Sequence, residues 1–200
     1  MPWPGPAAKP IWPKPLPDPF HVRDAADADV AQIAAIYANE VATGVATFEE
    51  VAPSLQDMRA RLTSIKRLGL PYLVAERDGT VLGYAYAGQF HPRAAYRYTL
   101  EDTVYIHQDA RRQGVARALL NGLIVRCEVL GARQMMALIT CVPGSGSIAL
   151  HEALGFRSMG VAPAVGYKFG RWLNVAYMQR PLGAADSTPP DRPVLGPANA

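Results

Sequence analysis

Asp109-Ala110-Arg111-Arg112-Gln113-Gly114-Val115-Ala116-Arg117-Ala118-Leu119-Leu120 joins a segment of strand character to one of helix character, with a glycine at the helix entrance. The first amides of a helix have no acceptor inside it, and they point along the positive end of its dipole. Such a turn makes an anion cradle suited to a pyrophosphate. Gly114 and Ala116 let phosphates come close, and Arg111, Arg112 or Arg117 can add charge. An ordinary capped helix with surface arginines has the same pattern, so these twelve residues alone leave both readings open. The stretch has neither a P-loop lysine nor a GxGxxG, which excludes nucleoside triphosphate and NAD readings.

Arg97 to Ile106 precedes the cradle as a strand, and Gly114 to Leu130 follows as a helix with Val115, Leu119, Leu123 and Cys127 every four residues. Upstream, Tyr72–Ala75 and Val81–Ala87 flank Asp78-Gly79, which predicts a hairpin. Ser54 opens a helix carrying Leu55, Met58, Leu62 and Ile65. Asp27 or Asp29 is expected to cap an earlier helix with Val30, Ile33, Tyr37 and Val41 on one face, after a short strand at His21–Arg23. Downstream, Gln134 to Cys141 reads as a strand and Ser147 to Leu154 as a short helix stopped by Gly155; a last strand is expected near Val175 to Gln179. Helices precede, interrupt and follow a sheet of mixed pairing, so the class is α/β or α+β in one domain.

Composition agrees with a single folded unit. The chain has 200 residues, 50% of them hydrophobic and 18% charged, which supports a sizeable core and excludes global disorder. Net charge is +3, from 20 basic and 17 acidic residues, without the clustered Lys/Arg runs of a nucleic-acid interface. Eight prolines fall in Met1–Pro19 and four in Gly183–Ala200, so the fold is expected over 21–182 with proline-rich tails at 1–20 and 183–200, extended and mobile or draped over a neighbour. The N-terminal prolines are incompatible with the apolar helix of a signal peptide. The uncharged stretch Gln134–Leu150 is broken by Pro143, Gly144 and Gly146, so no membrane span is expected. Cys127 and Cys141 lack metal-ligand spacing and read as core thiols of a reducing, cytoplasmic protein, with no metal.

Arg111-x-x-Gly114-x-Ala116 matches the acyl-coenzyme A signature Q/R-x-x-G-x-G/A of the GNAT superfamily of N-acetyltransferases. The chain resembles, within it, the phosphinothricin and methionine sulfoximine N-acetyltransferases. That resemblance is carried by Thr99-Leu100-Glu101-Asp102-Thr103-Val104-Tyr105-Ile106, by His151-Glu152-Ala153-Leu154-Gly155-Phe156, by Tyr84-Ala85-Tyr86-Ala87-Gly88, and by Gly166-Tyr167-Lys168-x-Gly170-x-Trp172-x-x-Val175. The blocks run in order over roughly Val22 to Gln179. They imply a GNAT fold, one domain with a central mixed, mostly antiparallel sheet flanked by helices, and acetyl-CoA as co-substrate.

The same resemblance assigns roles. Acetyl transfer to an amine with a pKa of about 10 requires removal of a proton near neutrality. Glu101 matches the family's general base, acting directly or through a water; burial in mid-strand would raise its pKa and improve it as a base. A carboxylate in a strand is otherwise an exposed or ion-paired residue. His151 matches a histidine implicated in substrate handling or proton transfer; read by itself at a helix start, it is a cap or a core hydrogen bond. The oxyanion donor is expected among the backbone amides of Val104, Tyr105 and Ile106, which should also bind pantetheine. With Arg111, Arg112, Gln113, Gly114, Val115, Ala116 and Arg117 they form the expected cofactor site. Thiolate departure calls for an acid such as a tyrosine, and nine are available.

His91-Pro92-Arg93-Ala94-Ala95-Tyr96 matches the substrate-binding segment, where Arg93 would fork onto a carboxylate or phosphinate and Tyr96 would close the pocket. Phe48 aligns with an aromatic near the acceptor, although it reads equally as core. Three positions depart from the family: Gly144 stands for an asparagine that contacts coenzyme A, with Ser145 or Ser147 as candidate replacements; His91 stands for a lysine found in some members, and Asn174 for an aspartate. The implied function is N-acetylation of the α-amine of a small amino acid or analogue by direct attack on the thioester, in a homodimer. Two alternatives remain on the residues alone: acetylation of a protein N-terminus or polyamine, and a non-catalytic acyl-CoA sensor.

Overall fold

The computed structural model describes residues 19–191 and 193–195. The proline-rich stretch through position 18 lies outside them. In chain order the elements are β1 His21–Asp24, α1 Val30–Thr43, α2 Leu55–Arg67, β2 Tyr72–Arg77, β3 Thr80–Gln89, β4 Thr99–Ile106, α3 Val115–Leu130, β5 Gln134–Thr140, α4 Ser147–Ala153, β6 Arg157–Lys168 and β7 Arg171–Pro181. The seven strands form one sheet in the order β1-β2-β3-β4-β5-β7-β6. Only β4 and β5 run parallel; the other pairs are antiparallel, giving the mixed, mostly antiparallel sheet expected.

Local chemistry accounts for most of the boundaries. Ser54 and Asp57 form a reciprocal capping box at α2, with Asp57 N–H donating to Ser54 Oγ at 3.1 Å and Ser54 N–H to Asp57 Oδ2 at 3.0 Å. The β2–β3 hairpin turns through Asp78 and Gly79 at φ +49° and +77°, the left-handed pair a two-residue turn requires. Asp29 occupies the N-cap position of α1 but does not cap it. Its carboxylate turns back to accept from Ala26 N–H at 2.7 Å and from both Arg23 terminal nitrogens at 2.7 and 2.8 Å. The expected cap is instead a fork that ties β1 to α1.

Two apolar layers sandwich the sheet. On the front face α1 and α2 cover Tyr72, Val74, Val81 and Tyr84. On the back face α3 covers Leu73, Ala85, Ala87, Leu100, Met135 and Met178. Strand alternation sends consecutive residues of each strand to these two layers.

Two expectations are corrected. The last strand is longer than Val175–Gln179 and has an unforeseen partner, β6, at the sheet edge. Nine of the twelve β6 residues are exposed and its register shifts twice, so no two-residue hydrophobic alternation marks it. Pro163 is tolerated there because an edge strand has one side without a ladder. The C-terminal segment also returns to the fold: Arg133 donates to the carbonyls of Ala185 and Pro189 at 3.2 Å each, and Leu195 is 2% exposed in the back-face core.

Candidate active site

β4 and β5 pair only at Thr99–Gln134, Leu100–Met135 and Glu101–Met136. Beyond that point β4 continues on β3 through Ile106, and β5 continues on β7 through Thr140. The two strands therefore splay apart, leaving backbone groups of Asp102–Ile106 without a strand partner on the β5 side. Glu101 is the last β4 residue before the split. Gly88 opposite it on β3 places no side chain over it.

Glu101 shares the front face with Thr103 and Tyr105, and by register with Tyr84 and Tyr86 of β3. Among the described residues its carboxylate has neither a hydrogen bond nor an ion pair. Burial, with a smaller contribution from the charge of Asp102, pushes its pKa up to about 7. A carboxyl poised there can exist in either form near neutrality, as a general base requires. Beside it the front-face tyrosines form a ladder, Tyr72 stacked on Tyr86 at 4.9 Å and Tyr37 edge-on to Tyr105 at 5.1 Å. Burial raises the pKa of Tyr37, Tyr72, Tyr84, Tyr86 and Tyr105, so all five stay protonated at neutral pH.

The splayed end of β4 leads into the cradle. Gly114 lies at φ +84° and Arg112 at +62°, so the chain coils tightly ahead of α3. The first helical hydrogen bond runs from Ala118 N–H to the Gly114 carbonyl at 3.1 Å. Among the described residues, the amides of Arg112, Gln113, Gly114, Val115, Ala116 and Arg117 have no protein acceptor. Six consecutive free donors at a helix N-terminus fit the pyrophosphate of a coenzyme. The side chains divide the work. Arg111 reaches Glu40 of α1 at 3.2 Å, and Gln113 donates to the Asp109 carbonyl at 2.6 Å, so both brace the turn. Arg112 and Arg117 are exposed. Val104 and Ile106 pack their side chains onto the back-face core, which leaves only their backbone for a ligand.

The predicted substrate residues lie in two connections, Arg93 and Tyr96 between β3 and β4 and Phe48 between α1 and α2. Arg93 is exposed, with its guanidinium unpaired among the described residues. Its N–H donates to Nδ1 of His91 at 3.2 Å, and Tyr96, 40% exposed, lies 4.7 Å from the His91 ring. Phe48 is 43% exposed and no core residue; its ring lies against Gly166, where an added Cβ would come within 2.2 Å of it. Sequence reasoning missed what holds Phe48 there. Thr47 meets the Tyr37 hydroxyl at 2.8 Å, and buried Lys168 donates to the Thr47 carbonyl at 2.9 Å. Lys168 lies in the segment Gly166–Val175 that carries part of the resemblance, yet nothing local links it to Thr47.

His151 is not at the start of α4 but in its last turn, 2% exposed and on the back face. Its ring nitrogens meet the Ser147 carbonyl at 2.7 Å and Asp102 Oδ2 at 3.1 Å. The structure thus puts it across the sheet from Glu101, held by the core hydrogen bonds that the residue read by itself implies. Of the departures, Gly144 turns through φ +77°, which asparagine also adopts, so the change drops a side chain and keeps the backbone. Asn174 accepts from Ala164 N–H at 2.8 Å and pins the β6 irregularity. Among the described residues no group of His, Cys, Asp and Glu is placed to hold a metal, and no helix is long and apolar enough to cross a membrane.

Known proteins similar in sequence and fold point to one family. The Acetyltransferase (GNAT) domain family matches residues 22–176. The phosphinothricin N-acetyltransferase of Alcaligenes faecalis is 54% identical over 170 residues, 85% of this chain and 86% of that protein. The L-methionine sulfoximine/L-methionine sulfone acetyltransferase of Pseudomonas aeruginosa is 40% identical over 84% of this chain and 98% of its own. Among solved structures, a GNAT phosphinothricin acetyltransferase from Sinorhizobium meliloti in complex with AcCoA superimposes with a TM-score of 0.84 at 46% identity, covering 90% of this chain and 97% of that one.

Proposed function

The chain belongs to the GNAT acetyltransferase family, and from that premise we propose that it N-acetylates the α-amine of a small anionic amino acid or analogue of the phosphinothricin and methionine sulfoximine type. The observation that carries this reading is an unpartnered carboxylate, Glu101, at the point where β4 and β5 part and beside a run of six free amides. Acetyl-CoA, when bound, supplies the activated acyl thioester. Residues 112–117 hold its pyrophosphate through backbone N–H groups, with Arg112 and Arg117 adding charge. The splayed backbone of Val104–Ile106 binds the pantetheine arm and stabilises charge developing on the carbonyl oxygen. Glu101 accepts the proton from the amine, directly or through a water, as the nitrogen attacks. Arg93 engages the acceptor's carboxylate or phosphinate, with Tyr96 and Phe48 lining its approach. A cationic side chain at that entrance disfavours a polyamine.

The domain comprises 21–182, with contacts from Ala185, Pro189 and Leu195 tying the following segment back onto it. The protein acts as a homodimer through the β6–β7 hairpin, where Met159, Val161, Val165, Tyr167, Phe169 and Trp172 are exposed together, Trp172 at 67%. Light scattering at micromolar concentration should give twice the chain mass, and a monomer would contradict this. The catalytic reading is tested by thiol release from acetyl-CoA with phosphinothricin, methionine sulfoximine, methionine sulfone, common amino acids, spermidine and a short peptide. Turnover confined to the amino acid analogues supports the proposal. Turnover only on the peptide or polyamine overturns the acceptor assignment and leaves the cofactor site standing.

A further inference from the structure

Residues 45–48, in the connection between α1 and α2, bridge the two sides of the β4–β5 split. On the β4 side, Glu40 of α1 accepts from Ala46 N–H at 3.1 Å. Tyr37 of α1, edge-on to Tyr105 of β4, meets Thr47 Oγ1 at 2.8 Å. On the β5 side, Thr140 lies past the last pairing of β5 with β4 and donates from Oγ1 to the Val45 carbonyl at 2.8 Å. Lys168 of β6 donates from Nζ to the Thr47 carbonyl at 2.9 Å. Side chains from three elements thus pin each of the three residues that lead into Phe48, as a scaffold does for a loop that must present one side chain in one place.

The β6 end of this bridge is shaped for the contact. Gly166 and Lys168 are two residues apart with no register shift between them, so they face the same side of the strand. Lys168 is 3% exposed, and lysine is almost never buried so deeply without a partner of opposite charge. Among the described residues its Nζ reaches only the Thr47 carbonyl and, at 5.0 Å, the ring of Phe169. Methionine would fill the same space without taking a polar head out of water. What lysine adds is a donor fixed on the Thr47 carbonyl. Gly166 makes room for the next residue of the loop: an added Cβ would overlap Cδ2, Cε2 and Cζ of the Phe48 ring. Its φ is not positive, so the close approach of that ring, and not the backbone conformation, accounts for glycine here.

We propose that Lys168 is a positioning residue for the acceptor: with Gly166 it seats the Thr47–Phe48 peptide on β6, and that seat sets acceptor affinity without Lys168 touching acceptor or coenzyme. The inference rests on the proposed reading in which Phe48 lines the acceptor's approach. The coenzyme cradle is braced at the opposite end of the bridge, where the second oxygen of Glu40 takes Arg111 at 3.2 Å. Loss of the β6 seat is therefore felt by the acceptor and not by coenzyme A.

The test is steady-state acetylation of phosphinothricin by the full chain in wild type, Lys168→Met, Gly166→Ala and Phe48→Ala, and in the two double variants that add Phe48→Ala to each of the others. The dissociation constant for coenzyme A is read in parallel by calorimetry. Lys168→Met keeps the stem and removes the donor. Gly166→Ala leaves Lys168 in place and displaces the ring, so it carries the test should the buried substitution fold poorly. Each single change on β6 should lower kcat/KM for phosphinothricin by about tenfold, chiefly through KM, with coenzyme affinity held within about twofold. Added to Phe48→Ala, either should cost less than about twofold more, because the group it positions is already gone. Acceptor KM within about twofold of wild type in both β6 variants, or losses that multiply in full on top of Phe48→Ala, would overturn the proposal and leave the acceptor assignment standing. Wild-type acceptor kinetics in Phe48→Ala would overturn the placement of Phe48, and this inference with it.

Discussion

The two faces of β4 treat adjacent carboxylates in opposite ways. On the front, Glu101 is half-buried, unpaired and pushed up to about 7, beside a strand split that opens backbone groups to a ligand. On the back, Asp102 is more deeply buried yet bonded to His151 within a core formed by α3 and its neighbours. Burial alone does not decide what a carboxylate can do; the partner does. An unpaired carboxyl poised near neutrality is free to exchange a proton with a substrate.

The largest test of this contrast is stability. Asp102→Ala leaves His151 in the back-face core without its carboxylate partner and should cost about 3–5 kcal/mol in urea unfolding at acidic to neutral pH. A loss no greater than that of a surface substitution would break the comparison. Arg93→Ala probes the front entrance. It should raise KM for the anionic acceptor by roughly tenfold to a hundredfold, equivalent to the loss of a charged hydrogen bond, with little change in acetyl-CoA affinity. Gly114→Ala forces a side chain into φ +84° and should weaken coenzyme binding by about tenfold, read by calorimetry.

The smallest effect carries the most specific sign. Glu101 has a raised pKa when folded, so the unfolded chain releases this proton first as pH rises from the usual carboxylate range. Its favourable contribution is complete below that range and lost as pH climbs through about 7, where the folded state must bury the charge. Glu101→Gln should therefore stabilise the protein by about 1–2 kcal/mol near pH 8, after allowance for solvent screening, and leave it unchanged near pH 4. His151 follows the same direction on the other face: its pair stabilises below the ordinary imidazole range and fades as pH rises through its elevated value.

What was legible in the sequence was local or periodic. Asp78-Gly79 marks the hairpin, the four-residue spacing from Val115 to Cys127 marks α3, and Ser54 marks the start of α2, because each signal is written within a few residues. The cradle was legible for the same reason: its donors are six consecutive amides. Contacts across long separations were not. Lys168 reaches Thr47 across 121 residues, and Arg111 leaves the cradle for Glu40 across 71. No spacing rule reports such pairs. β6 escaped because neither of its faces is buried, so the alternation that identifies a strand never developed. The resemblance gives His151 a part in substrate handling or proton transfer, but no local signal reports that its partner is Asp102, which alternation along β4 puts on the face opposite Glu101.

The decisive comparison is turnover of wild type and Glu101→Gln near pH 8 with phosphinothricin and saturating acetyl-CoA, alongside the dissociation constant for coenzyme A. Loss of a general base predicts a fall in kcat of about 10²–10⁴ with coenzyme affinity held within about twofold. Equal turnover in the two proteins would contradict the assignment of Glu101 as the base.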